Sequence, residues 1–395
     1  MATPQTIGGV VYLRRSVTRT APQSVRRAWS SQRGRGLPEG AGPAAPASRR
    51  THSRWRQRRA AALGGLFEGA AMLVRAITAP GLRRWCRGRR GEAAACFPLG
   101  RALLGVRGAE AAAFLQGLLT NDVTRLLAEG DSPRALYAHA LNAQGRCLYD
   151  VILYRLHRST AEEPHILLEC DSSVLDSMQK HLKLYKIRRK VTITPCPDLS
   201  LWAVIPGDAS SLPKCADQAL LLTPDPRTEV MGWRLIAKKG ANLSEIIPGS
   251  QVGDVQDYHR HRYKQGIPEG VQDLPPGVAL PLESNLAFMN GISFTKGCYI
   301  GQELTARTHH MGVIRKRLLP VSFPEPLPGG GVPEGAQILT GAGKRAGTFR
   351  AGRGELGIAL LRLAHLGEPL CVPLAAGRVK LSAATPHWWP KAAVK

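Results

Sequence analysis

Lys296-Gly297-Cys298-Tyr299-Ile300-Gly301-Gln302-Glu303-Leu304-Thr305-Ala306-Arg307 sets one thiol among small, flexible neighbours, with a cation two residues ahead of it. Residues 300–307 are good helix formers, so the pattern predicts a helix that opens just after Cys298. There the positive end of the helix dipole and the Lys296 ammonium both favour thiolate over thiol. Gly297 and Gly301 have no side chain and let a foreign backbone or an inorganic group come close. The plainer reading is that Cys298 is a small buried hydrophobe, as most free cysteines are. The lysine and the two glycines favour the first reading, because a packing cysteine needs neither.

The run Lys-Gly-Cys-Tyr-Ile-Gly-Gln-Glu, 296–303, resembles the signature of the YgfZ-like branch of the aminomethyltransferase (GcvT, folate-binding) superfamily. More narrowly, it is similar to the mitochondrial iron–sulfur assembly factors of that branch. The similarity runs from Cys96 to the C-terminus, about three quarters of the chain, and leaves the leader uncovered. It implies an α+β, GcvT/YgfZ-like folate-binding fold with a small antiparallel β-barrel at the C-terminus. On this reading residues 1–94 are a leader, 95–311 a body of two lobes and 312–395 the barrel.

The net charge of +25 invites a nucleic-acid reading, but most of the excess is in the leader. Residues 1–95 hold 19 arginines, no lysine and three glutamates, while the other 300 residues hold 35 basic and 26 acidic side chains. An Arg-rich, acid-poor leader has the composition of a mitochondrial transit peptide, drawn by an inside-negative potential, and the mature protein is expected in the matrix. A basic tail that binds RNA is the alternative. Met72 opens a second stretch able to serve alone as a targeting peptide, which makes it a candidate start. Residues 60–79 approach the length of a bilayer span, but Glu68, Arg75 and three glycines argue against one. Eight scattered cysteines, none spaced as C-x-x-C, form neither a disulfide framework nor a zinc site and fit a reducing compartment.

Apolar periodicity places strands at 97–106, 137–141, 147–156, 166–169, 191–193, 201–205 and 233–236, and helices at 109–119, 174–185 and 254–265. Asp171, Ser172 and Ser173 offer capping oxygens to the second helix, whose buried stripe is Val174, Leu175, Met178, Leu182 and Tyr185. It ends in Lys180, Lys183, Lys186, Arg188, Arg189 and Lys190, a solvated face or an anion or RNA site. From Arg315 six short apolar runs separated by Pro and Gly predict a small antiparallel barrel or sandwich, of which the resemblance implies the barrel, with Trp388 and Trp389 packing back on it. His259 and His261, two apart on a helix, diverge, as do the adjacent His309 and His310, so neither pair is a strong metal site.

Stoichiometry sharpens the reading of Cys298. Iron–sulfur clusters take four protein ligands, mostly thiolates at close spacing. This segment offers one. If Cys298 is the cluster ligand, the others come from a second polypeptide or a small thiol. That predicts a transient cluster shared at an interface, with Lys296 as electrostatic helper and Gly297 and Gly301 permitting close docking. Tyr299, Gln302, Glu303 and Arg307 would shape the contact surface, and His309 or His310 could assist. The resemblance names the partners: A-type iron–sulfur scaffold proteins and recipient 4Fe–4S apoproteins, in a role without catalysis.

Two other classes are weighed. The superfamily implies tetrahydrofolate and one-carbon transfer, for which aminomethyltransferases place an Asp-Asp pair on the strand after an Asn-x-x-Gly turn. Here Asn142-Ala143-Gln144-Gly145 is that turn, and Cys147-Leu148-Tyr149-Asp150 puts Tyr149 first, leaving only Asp150. A phenol with a pKa near ~10 does not replace a carboxylate beside a cationic intermediate. Glu283 matches the glutamate that reads the pterin ring, so the resemblance makes Asn142, Asp150 and Glu283 a folate site without turnover. RNA binding through the 180–190 cluster is the third class, but no aromatic-studded strand supports specific recognition.

Overall fold

A computed structural model describes residues 94–128, 132–156, 164–207, 219–324, 327, 331–375 and 377–390. The leader with its alternative start at Met72, and Cys86 and Cys215, lie outside the described residues. In chain order the body runs β1 (Ala95–Pro98), β2 (Arg101–Arg107), helix α1 (Ala111–Gln116), β3 (Ala135–Leu141), β4 (Cys147–Arg155), β5 (His165–Asp171) and α2 (Leu175–Tyr185). It continues through β6 (Thr192–Pro195), β7 (Leu199–Ile205), β8 (Leu221–Pro224), β9 (Trp233–Lys238), β10 (Gln251–Val252), α3 (Val255–Gln265) and α4 (Gln302–Met311).

These strands form two five-stranded sheets, β3-β4-β5-β2-β6 and β10-β1-β7-β9-β8. Pairing is antiparallel except between β1 and β10. Strand alternation explains the layering. In β4, Val151 and Leu153 enter a core shared with α1 and α2, while Ile152 and Tyr154 enter a second core shared with Leu201, Leu221 and Ile236 of the other sheet. Successive side chains of a strand face opposite ways, so a strand apolar at both parities is covered on both faces. The first sheet therefore lies between helices and the second sheet.

Three local expectations change. The run 97–106 is two strands, because the chain breaks at Leu99-Gly100 and β1 pairs with β7 while β2 pairs with β5. The helix expected over 109–119 is only Ala111–Gln116, with Leu118 and Leu119 buried beyond its end. In α2 the stripe is carried by Met178 and Leu182; Tyr185 is exposed, because the last turn overhangs the core. The third helix stands as read. Asp254 accepts from Gln256 N–H at its start, and Gly266, left-handed at φ 70°, ends it.

The six apolar runs after Arg315 become β11 (Lys316–Ser322), β12 (Gln337–Thr340), β13 (Arg345–Arg353), β14 (Leu356–Arg362), β15 (Leu370–Leu374) and β16 (Gly377–Ala383). They close into a barrel in the order β11-β14-β13-β12-β15-β16. Leu319, Val321, Ile338, Phe349, Leu361, Val372 and Trp389 fill it. Leu141 and Cys147 of the body meet Tyr263, Leu274, Leu318 and Ile358 in a junction core, and Trp388 Nε1 donates to the Gln265 carbonyl (2.8 Å).

Candidate functional site

Cys298 is exposed, in irregular chain that leads into α4. Among the other described cysteines, Cys96, Cys147, Cys170 and Cys371 are buried and Cys196 is half-buried. Residues on both sides of the thiol are pinned to the body. Lys296 Nζ donates to the carbonyls of Gln116 (2.7 Å), Leu119 (2.7 Å) and Asn121 (2.8 Å), at the end of α1 and in the turn beyond it. Ile300 N–H donates to the Gly117 carbonyl (3.1 Å), and the Ile300 side chain packs on the core beneath α1 and α2. The Tyr299 ring enters the junction core, and Gln302 Oε1 accepts from Tyr299 N–H (3.1 Å).

Lys296 therefore has a different task from the one expected of it. Its ammonium is committed to three carbonyls and lies 5.0 Å from the Tyr299 ring centre, so it clamps the loop onto α1. Burial lowers its pKa to about 8, against the pull of Asp122. Lys296→Met should lower unfolding stability by about 2–3 kcal/mol, since it strands half-buried carbonyls that had a charged donor. Amide exchange over 293–300 should quicken with it. An unchanged urea midpoint together with unchanged exchange would refute the clamp.

The two glycines also part ways. A Cβ on Gly297 would have nothing within 4 Å, which leaves open space beside the thiol. Gly301, the N-cap of α4 at φ 78°, faces inward: a Cβ there would lie 2.3 Å from the Asn142 carbonyl oxygen and 2.8 Å from Leu141 Cβ. Gly145 returns the contact, since its own Cβ would meet Leu304 Cβ at 2.8 Å and the Gly301 carbonyl at 2.9 Å. Gly301 thus seats α4 on the β3–β4 turn and gives no room to a visitor.

Glu303 and Arg307 lie one turn apart on the exposed side of α4, 3.9 Å between charged atoms, a weak surface pair. Phe294 stacks on His309 with ring centres 3.6 Å apart, tying the start of the loop to the end of α4. Partial burial, then His310, lowers the His309 pKa. The two imidazoles stand edge-on, 5.0 Å apart, and Met311 and Val313 just beyond are 79% and 76% exposed. The outer side of α4 thus carries charge, two imidazoles and two uncovered apolar side chains next to the thiol loop. Among the described residues, no three His, Cys, Asp or Glu side chains gather as a metal site.

Residues 315–391 match the family described as CAF17, C-terminal beta-barrel domain. Over 311 residues the chain is 58% identical to the mitochondrial iron–sulfur cluster assembly factor IBA57 of Homo sapiens, covering 76% of this chain and 86% of that one. The Mus musculus protein of the same description is 55% identical, with 77% and 87% covered. The chain belongs to the IBA57 family. Its fold is also similar to the glycine cleavage system aminomethyltransferase T from Bartonella henselae, with a TM-score of 0.60, 17% identity, and 78% of this chain and 89% of that one covered. At that identity the likeness concerns the fold alone.

Within this member of the IBA57 family, two of the three folate candidates are occupied by contacts of their own. Asn142 Oδ1 accepts from Arg146 N–H (2.9 Å) and shapes the hairpin turn. Asp150 is buried, paired with Arg101 (3.1 Å) and accepting from Gly270 N–H (3.1 Å). Glu283 is half-buried, and its carboxylate makes no hydrogen bond among the described residues. Tyr149 and Asp150 face opposite sides of their sheet: Tyr149 meets His181 of α2 edge-on, 5.8 Å between centres, while Asp150 turns to Arg101. Asn142 and Asp150 are thus spent on the fold, and of the three only Glu283 keeps an open carboxylate.

Asp150 lies at one end of a buried ionic array that apolar periodicity did not reveal. Arg101 also pairs with Glu169, which accepts from Tyr154 and faces Arg234 at 3.5 Å. Arg234 pairs with Asp225 (3.0 Å) and Glu269 (2.8 Å), and Arg227 pairs with the same two (2.8 and 2.7 Å). Tyr258 of α3 donates to Glu269 (2.7 Å). Burial would raise the carboxyls of Asp225 and Glu269, yet Arg227 and Arg234 hold both below the usual range, Glu269 well below it. The available signal was a charge at an inward position of an apolar strand, as in Ile166-Leu167-Leu168-Glu169 and Trp233-Arg234-Leu235-Ile236.

Proposed function

We propose that this chain is a mitochondrial iron–sulfur cluster assembly factor in which Cys298 supplies one ligand to a cluster completed by a second polypeptide. The observation that carries the reading is the exposed thiol on a loop clamped through Lys296 and Ile300, with open space at Gly297. The cluster is cargo. One thiolate holds it too weakly for storage, and a preorganised thiolate donor at an interface suits handover. Curated relatives carry the name iron–sulfur cluster assembly factor, mitochondrial, which supports the function and the matrix as its place.

The partner class is an A-type scaffold protein that brings the remaining thiolates, with 4Fe–4S apoproteins as recipients. The exposed side of α4, with Glu303 and Arg307 on it and Met311 and Val313 at and beyond its end, adjoins the thiol loop where Phe294 stacks on His309 and forms its docking surface. His310 and His309 are within the same surface and are available to a shared cluster. No described helix is long and apolar enough to cross a membrane.

Anaerobic mixing of the full chain with a cluster-loaded A-type scaffold tests this. Wild type should co-elute with the scaffold as a coloured complex, and Cys298→Ser should lose the colour while keeping its thermal midpoint. A serine variant that forms the same coloured complex would sink the ligand assignment. A full cluster held by the chain alone, without added thiol, would sink the shared-site reading.

A further inference from the structure

The end of α2 and the loop behind it have no part in the site above. Six cations lie between Lys180 and Lys190, with no acidic residue from 177 to 197. Among them stand Leu184, Tyr185 and Ile187, exposed at 67%, 39% and 75%, three of the eight large apolar side chains exposed among the described residues. They are surplus to the core, because Met178 and Leu182 already bury the inward face of the helix.

The protrusion is built. Glu110 accepts from Lys190 N–H (2.7 Å) and from the Arg189 guanidinium (2.9 Å), fixing the loop against α1. Gly108, at φ 128°, lets the chain pass so close that a Cβ there would lie 2.4 Å from the Lys190 carbonyl oxygen. Arg188 takes a left-handed φ of 59° to turn the chain back. Glu110 pairs with Arg189, and of the other five cations Lys180, Lys183, Arg188 and Lys190 are exposed and Lys186 is half-buried.

We propose that this tip docks peripherally on an anionic phospholipid surface. Cations interleaved with aliphatic side chains on a convex helix end match lipid phosphates outside and the acyl boundary just beneath them. Protein interfaces are depleted in lysine, which argues against an acidic protein as the occupant. Single-stranded RNA is read by stacking on free aromatic faces. Tyr185 is the one exposed large aromatic ring of the tip, too few for a run of stacked bases, and Leu184 and Ile187 offer nothing to a phosphate backbone.

Hydrogen exchange on the full chain tests the proposal, with vesicles of phosphatidylcholine alone or with about a third phosphatidylserine. The Arg-rich leader is present in every arm, so only local protection counts. Exchange over 183–190 should slow on the order of tenfold with the anionic vesicles and stay unchanged with the neutral ones. Leu184→Ser with Ile187→Ser should abolish that protection and leave the thermal midpoint and the exchange at Met178 unaltered. Vesicle binding without protection at 183–190, or protection that survives the double substitution, overturns the proposal. Protection by polyglutamate or single-stranded RNA, without protection by vesicles, overturns it in favour of that partner.

Discussion

Glu269→Ala is expected to lower the unfolding stability of the body by about 3–5 kcal/mol at neutral pH. The carboxylate accepts from Arg227, Arg234 and Tyr258 in the interior, and its removal leaves two buried guanidiniums short of a counter-charge. Breaking such a pair on one side costs more than the pair itself contributes, because the surviving charge remains desolvated. The pH dependence follows from the folded carboxyl lying well below its ordinary value of 4.5. Above that ordinary value both folded and unfolded forms are ionised, and the ion pairs contribute in full. As pH falls below it the unfolded chain takes up a proton that the folded chain refuses, so stability drops until the folded carboxyl also protonates. Urea unfolding of wild type between pH 6 and pH 3, as the ordinary carboxyl range suggests, should show that decline, and Glu269→Ala should show a shallower one. Equal slopes would mean that Glu269 is not ionised within the fold.

Gly301→Ala and Gly297→Ala should behave as opposites four residues apart. Alanine at 301 must hold φ 78°, which costs about 1–2 kcal/mol, and its methyl meets the Asn142 oxygen at 2.3 Å. The hairpin or α4 must shift to accommodate it, so the total loss should reach about 3 kcal/mol, with α4 the first element to exchange. Alanine at 297 meets nothing and should move stability by less than about 0.5 kcal/mol. On the proposed shared-cluster reading, its effect falls on the coloured complex with the scaffold, which should weaken. A stable Gly301→Ala protein would mean that the seat on the β3–β4 turn is soft.

Much of this architecture was legible in the sequence, and the failures have physical causes. Six apolar runs cut by Pro and Gly pointed to an antiparallel C-terminal unit, barrel or sandwich, and the family resemblance pointed to the barrel that the chain forms. Helix α3 was readable because Asp254 and Gly266 punctuate it. The run 97–106 misled because hydrophobic periodicity shows that a strand is buried but not in which sheet, and Leu99-Gly100 carried no stronger break signal than other Gly-containing pairs. At the site, residue types announced the exposed thiol, but the directions of its neighbours depend on tertiary contacts. Lys296 looked like a helper for the thiolate and is a clamp on α1. Gly301 looked open and is closed against Asn142. The ionic array escaped notice because its members come from distant segments, such as Arg101, Asp225 and Glu269, whose proximity only the folded chain creates.

The C-terminal barrel closes, with β11 bonded to β14 along its length and to β16 through Val321 and Ser322. Closure shortens the free strand edge that could template another chain, so this part of the molecule resists sheet extension and the aggregation that follows it. A visitor to it is recognised mainly through side chains, and backbone-mediated recruitment falls to the margins of the two five-stranded sheets.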